Sequence, residues 1–309
     1  MQLPGEPQIL VILFFFLFGS LIGSFLNVCI TRIPEGISIV SPGSRCPKCG
    51  TPIKPYDNVP IFAWLWLRGK CRSCGTPISV MYPLIELATA LLFVGCYLEF
   101  GITQATIKWL FFTCILIILT ITDLRVRLLP DVVTWPGFAA GVLFSVFVPP
   151  NDGVTFLLSM RFFHWLPPEH LFGLVEALVG AAFGSLMLWG AATLYKLVRH
   201  REGMGMGDVK MMLMAGAFLG IRNTFLTILL GTLLGSILGL ALIAFMYARG
   251  TGRRLAERAS RRGIGTVNQI RWLIASRYHL PLGTFLGVAA LIVMFVFSSS
   301  SLDLGAGLP

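Results

Sequence analysis

Hydrophobic positions in this chain gather into eight long runs, at roughly 8–31, 79–99, 105–123, 132–150, 171–197, 207–221, 223–247 and 281–300. Polar residues fall mostly between them. A helix rises about 1.5 Å per residue, so about 20 apolar residues cross the roughly 30 Å of hydrocarbon in a bilayer. The backbone finds no water in lipid, and a helix pairs its own N–H and C=O groups. The pattern therefore predicts an all-α polytopic membrane protein of about eight transmembrane helices. The sixth run is short and directly follows a glycine-rich turn. The first is long and carries no small-residue cleavage site, so it is expected to stay as an anchor rather than be removed as a signal peptide. Composition fits this picture: 56% of the 309 residues are hydrophobic and 12% charged, more apolar material than a soluble domain needs.

The formal net charge of +10 raises nucleic acid as a partner, but the positions of the charges argue otherwise. With eight helices and the N-terminus outside, the inside loops are 32–78, 124–131, 198–207 and 248–280. All of the 24 Lys and Arg residues except Lys108, Arg161 and Arg222 then lie on the inner side. This is the bias that orients membrane proteins, with basic loops facing the cytoplasm. The expected partner is the lipid bilayer, at an inner membrane, and no nucleic acid is expected. The basic stretch with Arg253, Arg254, Arg258, Arg261 and Arg262 reads as a solvated face near anionic headgroups. His164 and His170, on the outer loop 151–170, show no metal-site spacing.

The chain divides into a first transmembrane helix (1–31), a polar insert (32–78) and a larger membrane core (79–309) that includes the basic loop 248–280. Within the insert, Cys46-Pro47-Lys48-Cys49-Gly50-Thr51-Pro52-Ile53 recurs as Cys71-Arg72-Ser73-Cys74-Gly75-Thr76-Pro77-Ile78. Each copy sets two sulfurs three residues apart on a turn closed by glycine. Four thiolates on two such knuckles suit tetrahedral zinc, with iron as the competing metal. Disulfides would need an oxidising compartment, and a redox dithiol would need only one pair. An insert this small has little core of its own, so Cys46, Cys49, Cys71 and Cys74 are expected to hold a structural zinc that stabilises it. Cys29, Cys96 and Cys114 lie inside apolar runs and read as small core residues.

Ionisable residues within or beside spans are costly, and so they carry functional information. Glu86, Asp123, Asp131, Glu176 and Asp208 are the candidates. Asp131, opening the fourth helix after Leu129-Pro130, reads as a helix cap. Glu86 and Glu176 read as interhelical hydrogen-bonding residues. Asp123 ends the third helix and Asp208 begins the sixth, so both fall at the inner side. Two carboxylates that meet share one proton. One can then activate water while the other polarises a peptide carbonyl, which is aspartic-protease chemistry. Gly205 and Gly207, without side chains, would let a substrate backbone approach Asp208.

These residues resemble the bacterial type IV prepilin peptidases, bifunctional leader peptidases and N-methyltransferases. The likeness runs through Gly23-Ser24-Phe25-Leu26-Asn27-Val28, Arg32-Ile33-Pro34, the paired cysteine knuckles and Tyr82-Pro83-Leu84-Ile85-Glu86-Leu87. It continues through Asp123, Leu129-Pro130-Asp131 and Gly205-Met206-Gly207-Asp208-Val209-Lys210, the last bearing the Gly-x-Gly-Asp signature. The resemblance implies that Asp123 and Asp208 are the catalytic pair and that prepilins or pseudopilins are the substrates. It also implies S-adenosylmethionine as methyl donor, without indicating the residues that bind it. Lys210 belongs to the same active-site loop, in contact with the dyad or with the peptide. Pro281-Leu282-Gly283-Thr284-Phe285 departs from the Pro-Phe-Gly-Pro-Phe common in that family, a change expected to touch packing or the substrate groove. The rival reading is a proton-coupled transporter, which places its carboxylates near the midplane, often in related halves. No inverted repeat is visible here. The sequence carries no signal of oligomeric state.

Overall fold

In a computed structural model of the protein, the described residues are 6–150, 153–163, 168–200, 204–248 and 281–297. The basic stretch with Arg253 to Arg262, His164 and the side chain of His170 lie outside them. The described residues are helical apart from loops and two isolated bridges, Arg45 with Pro52 and Lys70 with Pro77. The helices are α1 (Glu6–Arg32), α2 (Phe62–Trp66), α3 (Met81–Phe100), α4 (Gln104–Val126), α5 (Asp131–Phe147), α6 (Val154–Leu158), α7 (Glu169–Arg199), α8 (Met206–Ala248) and α9 (Leu282–Phe297). Five of them, α1, α3, α4, α7 and α8, are long and apolar enough to cross a membrane, and α5 and α9 are shorter apolar helices. The all-α polytopic architecture expected from the apolar runs is what the structure shows.

The sixth and seventh runs share one helix, α8, which folds back at Gly220, where φ is 74° and ψ −175°. Glycine meets little steric resistance at positive φ. The reversal shows in what Gly184 of α7 faces. A Cβ there would stand 2.7 Å from Met212 O and 2.8 Å from Thr224 Cγ2. Along one straight helix those two residues would be about 18 Å apart. The turn is held by close backbone packing, since a Cβ on Gly180 would come within 2.8 Å of Gly220 Cα. Small residues let helices in lipid approach in this way.

Helix α4 is the centre of the molecule. Its Phe112, Leu116 and Leu119 are fully enclosed, together with Met211, Met214 and Phe218 of α8 and Leu286 and Met294 of α9. Phe112 stacks on Phe218 with ring centroids 4.6 Å apart. On the other side of α4, helix α1 lies against α3, where a Cβ on Gly23 would stand 2.7 Å from Glu86 Cα. The short links α3–α4 and α4–α5 make these helices antiparallel. The N-termini of α3, α5, α8 and α9 and the C-termini of α1, α4 and α7 therefore gather at one end of the bundle, where the insert also emerges.

Candidate functional site

Three helix ends build the first site. Asp123 lies in the last turn of α4, Asp208 is the third residue of α8, and Gly283 is the second of α9. A Cβ on Gly283 would stand 2.9 Å from Asp123 Oδ2 and 3.0 Å from Asp208 Oδ1. Two oxygens so close to one point lie within the roughly 6 Å over which charged groups act on each other. Asp123 is buried, and Asp208 is partly open to the surface. Leu129 packs beside them, its Cδ1 3.1 Å from where a Gly283 Cβ would be and its Cβ 3.1 Å from where a Gly207 Cβ would be. Gly205 is exposed, and a Cβ there would meet only the Gly207 backbone nitrogen, at 3.9 Å.

The N-terminus of α9 holds Asp123. The Thr284 N–H donates to Asp123 Oδ2 at 2.7 Å, and the Thr284 hydroxyl lies 3.1 Å from the same oxygen. The first N–H groups of a helix have no partner within it, so this one is free to bind a carboxylate from another helix. The hydroxyl also lies 3.2 Å from Thr120 O. Thr284 and Gly283 were legible in the sequence only as members of a departing motif; nothing there tied them to Asp123.

Lys210 turns to Asp131. Its ammonium donates to both carboxylate oxygens, at 2.8 and 2.7 Å. Asp131 thus does not act as the helix cap expected of it. Pro130 holds the N-cap position of α5 without a side-chain hydrogen bond, and Asp131 is the first residue inside the helix. The ion pair ties α5 to α8 two residues beyond Asp208.

The second site is the insert. The four Sγ atoms of Cys46, Cys49, Cys71 and Cys74 lie within 4.8 Å of one another, a cluster that can hold a metal ion. A tetrahedron with bonds of about 2.3 Å has edges of about 3.8 Å, and Cys46 Sγ lies 3.8 Å from Cys74 Sγ. The two knuckles repeat each other's backbone bonds. Gly50 N donates to Cys46 O and Gly75 N to Cys71 O, each at 2.9 Å, with φ of 70° and 68° at the glycines. Thr51 Oγ1 lies 3.2 Å from Cys49 Sγ and Thr76 Oγ1 3.3 Å from Cys74 Sγ. The Thr51 hydroxyl holds the Cys49 thiol below its usual range, and the Thr76 hydroxyl brings Cys74 down to about 6. Those two thiols favour the thiolate form that binds metal, whereas the Cys46 thiol lies above its usual range.

Glu86 fastens the insert to the bundle. Its Oε2 accepts the Ile61 N–H at 2.7 Å, at a residue held at φ 63°, a conformation unfavourable for a β-branched side chain. Asn27 of α1 donates to Tyr82 O at 3.1 Å beside it. Glu86 also bonds Ser24 of α1, the interhelical bond expected of it, and so joins α3 both to its neighbouring helix and to the insert. Glu176 is fully buried on α7 and interacts with Lys108 of α4. Cys29 and Cys96 are buried in the apolar core and Cys114 packs against it, as expected of small core residues.

Comparison with known proteins identifies both regions of the chain. Residues 17–100 match the Bacterial Peptidase A24 N-terminal domain, and residues 110–240 match the Type IV leader peptidase family. A protein of Myxococcus xanthus named prepilin leader peptidase/N-methyltransferase is 38% identical over 78% of this chain and 66% of its own length. Proteins of the same name from Aeromonas hydrophila and Pseudomonas aeruginosa are each 36% identical. The first alignment covers 74% of this chain and 80% of that relative, the second 75% and 81%. No solved structure matches the chain significantly. With both of its regions recognised and such relatives aligned over most of their length, the chain belongs to the type IV leader peptidase family.

Proposed function

We propose that the protein is a membrane-embedded aspartic endopeptidase that removes the leader of type IV prepilins or type II secretion pseudopilins, with Asp123 and Asp208 as its catalytic dyad. The observation that carries this reading is the meeting of both carboxylates at Gly283, from residues far apart in the chain. The family and the names of the relatives supply the reaction class and the substrate.

One carboxylate of the pair is ionised and the other protonated, because two charges so close repel. The ionised member takes a proton from water as the hydroxyl oxygen adds to the scissile carbonyl carbon. The protonated member gives its proton to the carbonyl oxygen. The proton taken from water then passes to the amide nitrogen and the C–N bond breaks. A hydroxyl proton of the tetrahedral diol returns to the second carboxylate, so the pair ends as it began. Gly205 and Gly207 leave the approach to Asp208 open for an extended peptide. Lys210, tied to Asp131, fixes the α5 edge of that approach.

The inner-side placement follows from the basic loops, which put the insert and the aspartates at the cytoplasmic face and the N-terminus outside. In this reading the four cysteines hold zinc, and the insert, latched by Glu86, is a structural part of the region matching the N-terminal domain. The relatives' name also supports methylation of the new N-terminal amine, for which S-adenosylmethionine would supply the methyl group. The donor's binding residues are left unassigned. The transporter reading is disfavoured because both aspartates sit at helix ends rather than mid-span.

Mass spectrometry of a candidate prepilin's N-terminus, after incubation with the enzyme in vesicles, tests both activities together. Loss of the leader and a methyl mass on the new terminus are expected with S-adenosylmethionine present. An intact leader under conditions where the enzyme is folded would refute the peptidase reading.

A further inference from the structure

The two aspartates are not held alike. Asp123 Oδ2 faces two donors from one residue, the Thr284 N–H at 2.7 Å and the Thr284 hydroxyl at 3.1 Å. Among the described residues, none donates a hydrogen bond to the Asp208 carboxylate. A carboxylate oxygen offers two in-plane acceptor sites, and an N–H can only donate. Two donors converging on Oδ2 fill those sites and leave no room there for a proton. A proline at position 284 would supply neither donor, whereas threonine supplies both.

We infer that Thr284 is a positioning residue that fixes the division of labour within the pair: it keeps Asp123 as the ionised member with Oδ1 as the atom that takes the proton from water, and leaves the shared proton on Asp208. The inference rests on the dyad reading above and deepens it. The Thr284 hydroxyl has a single hydrogen and lies between Asp123 Oδ2 and Thr120 O, at 3.1 and 3.2 Å. While Asp123 is ionised, that hydrogen points to Oδ2. The N–H cannot turn away, so Oδ2 stays engaged through the cycle and Oδ1 alone exchanges protons. In the chemical step water loses a proton to Oδ1, its oxygen joins the carbonyl carbon, and the carbonyl oxygen takes the proton of Asp208.

The test is steady-state cleavage of a prepilin by the full-length enzyme in vesicles, with rates taken per folded enzyme. Thr284→Val keeps the N–H and the shape but removes the hydroxyl, and Thr284→Ala does the same with less bulk. Thr284→Ser keeps both donors. A hydrogen bond to a charged group accounts for roughly a ten- to hundredfold effect, so Val and Ala are expected to lower kcat about tenfold or more at unchanged KM, with Ser near the parent enzyme. Unchanged kcat in Val and Ala, a change in KM alone, or Ser as impaired as Val would overturn the inference. Asp123→Asn and Asp208→Asn are run alongside. If both are inactive while Val is fully active, the role of Thr284 falls and the dyad stands; if either processes normally, both readings fall.

Discussion

Helix α4 carries a buried ionisable residue near each end, and the two ends treat the charge in opposite ways. Near the start, Lys108 is wholly enclosed. Its ammonium donates to Val148 O at 3.0 Å, lies 4.7 Å from the Trp109 ring centroid and interacts with the fully buried Glu176 of α7. Every contact there is complementary, and the result is a brace between helices. At the far end Asp123 is brought toward a second carboxylate, with a glycine where the two meet. A fold under no other constraint would not gather like charges in a place that is costly for even one. The first arrangement reads as stability, and the second fits the proposed chemistry. The four-cysteine insert sits at this second end alone.

The contrast can be broken or sharpened in several ways, and emptying the insert should have the largest effect. Cys46→Ser together with Cys49→Ser removes half of the four-sulfur cluster, and a domain with so little core depends on its metal. Metal bound to the purified protein, read by elemental analysis, should fall to background, and the insert should become open to limited proteolysis. Metal content equal to that of the parent protein would refute the assignment.

Next comes the Lys108 end. Removing one partner of a buried pair leaves the other charge uncompensated, at a cost of about 3–5 kcal/mol. Lys108→Met should therefore lower unfolding stability in detergent by that order, and adding Glu176→Gln should restore part of it. Cleavage per folded enzyme should be unchanged. A loss of activity without a loss of stability would undo the distinction between the two ends.

Gly283→Ala should do the reverse. Its Cβ would press on both carboxylates at about 3 Å. Since misplacing reacting groups by about 1 Å can cost 10²-fold, cleavage should fall about 100-fold, while the unfolding midpoint stays within a few degrees of the parent. Near-normal cleavage would show that the pair is not as closely confined as the structure places it.

The membrane architecture was legible because it follows from run length and from where lysines and arginines fall. The cysteine cluster was legible because its four ligands lie on a local repeat. Asp123 and Asp208 stood out because acidic residues are rare in such runs. What joins them was not legible. Thr284 meets Asp123 across 161 positions, and Lys210 meets Asp131 across 79, so no periodicity or spacing announces either contact. Asp131 looked like a cap because local sequence rules know only local partners; a lysine from α8 competed for it and won. The reversal between the sixth and seventh runs was anticipated near Arg222, whose charge interrupts the apolar pattern. The backbone instead turns at Gly220, where the absence of a side chain permits both the positive φ and the close approach of α7.

The claim on which the account rests is that Asp123 and Asp208 act as one unit, and a double-mutant cycle tests it most directly. Prepilin cleavage in vesicles would be measured for Asp123→Asn, Asp208→Asn and the double variant, each shown to be folded and to hold its metal. Groups that work together are strongly non-additive, so all three should show the same residual rate, no faster than vesicles without enzyme. Parent-like cleavage by either single variant, or a double variant slower than a measurably active single one, would contradict it.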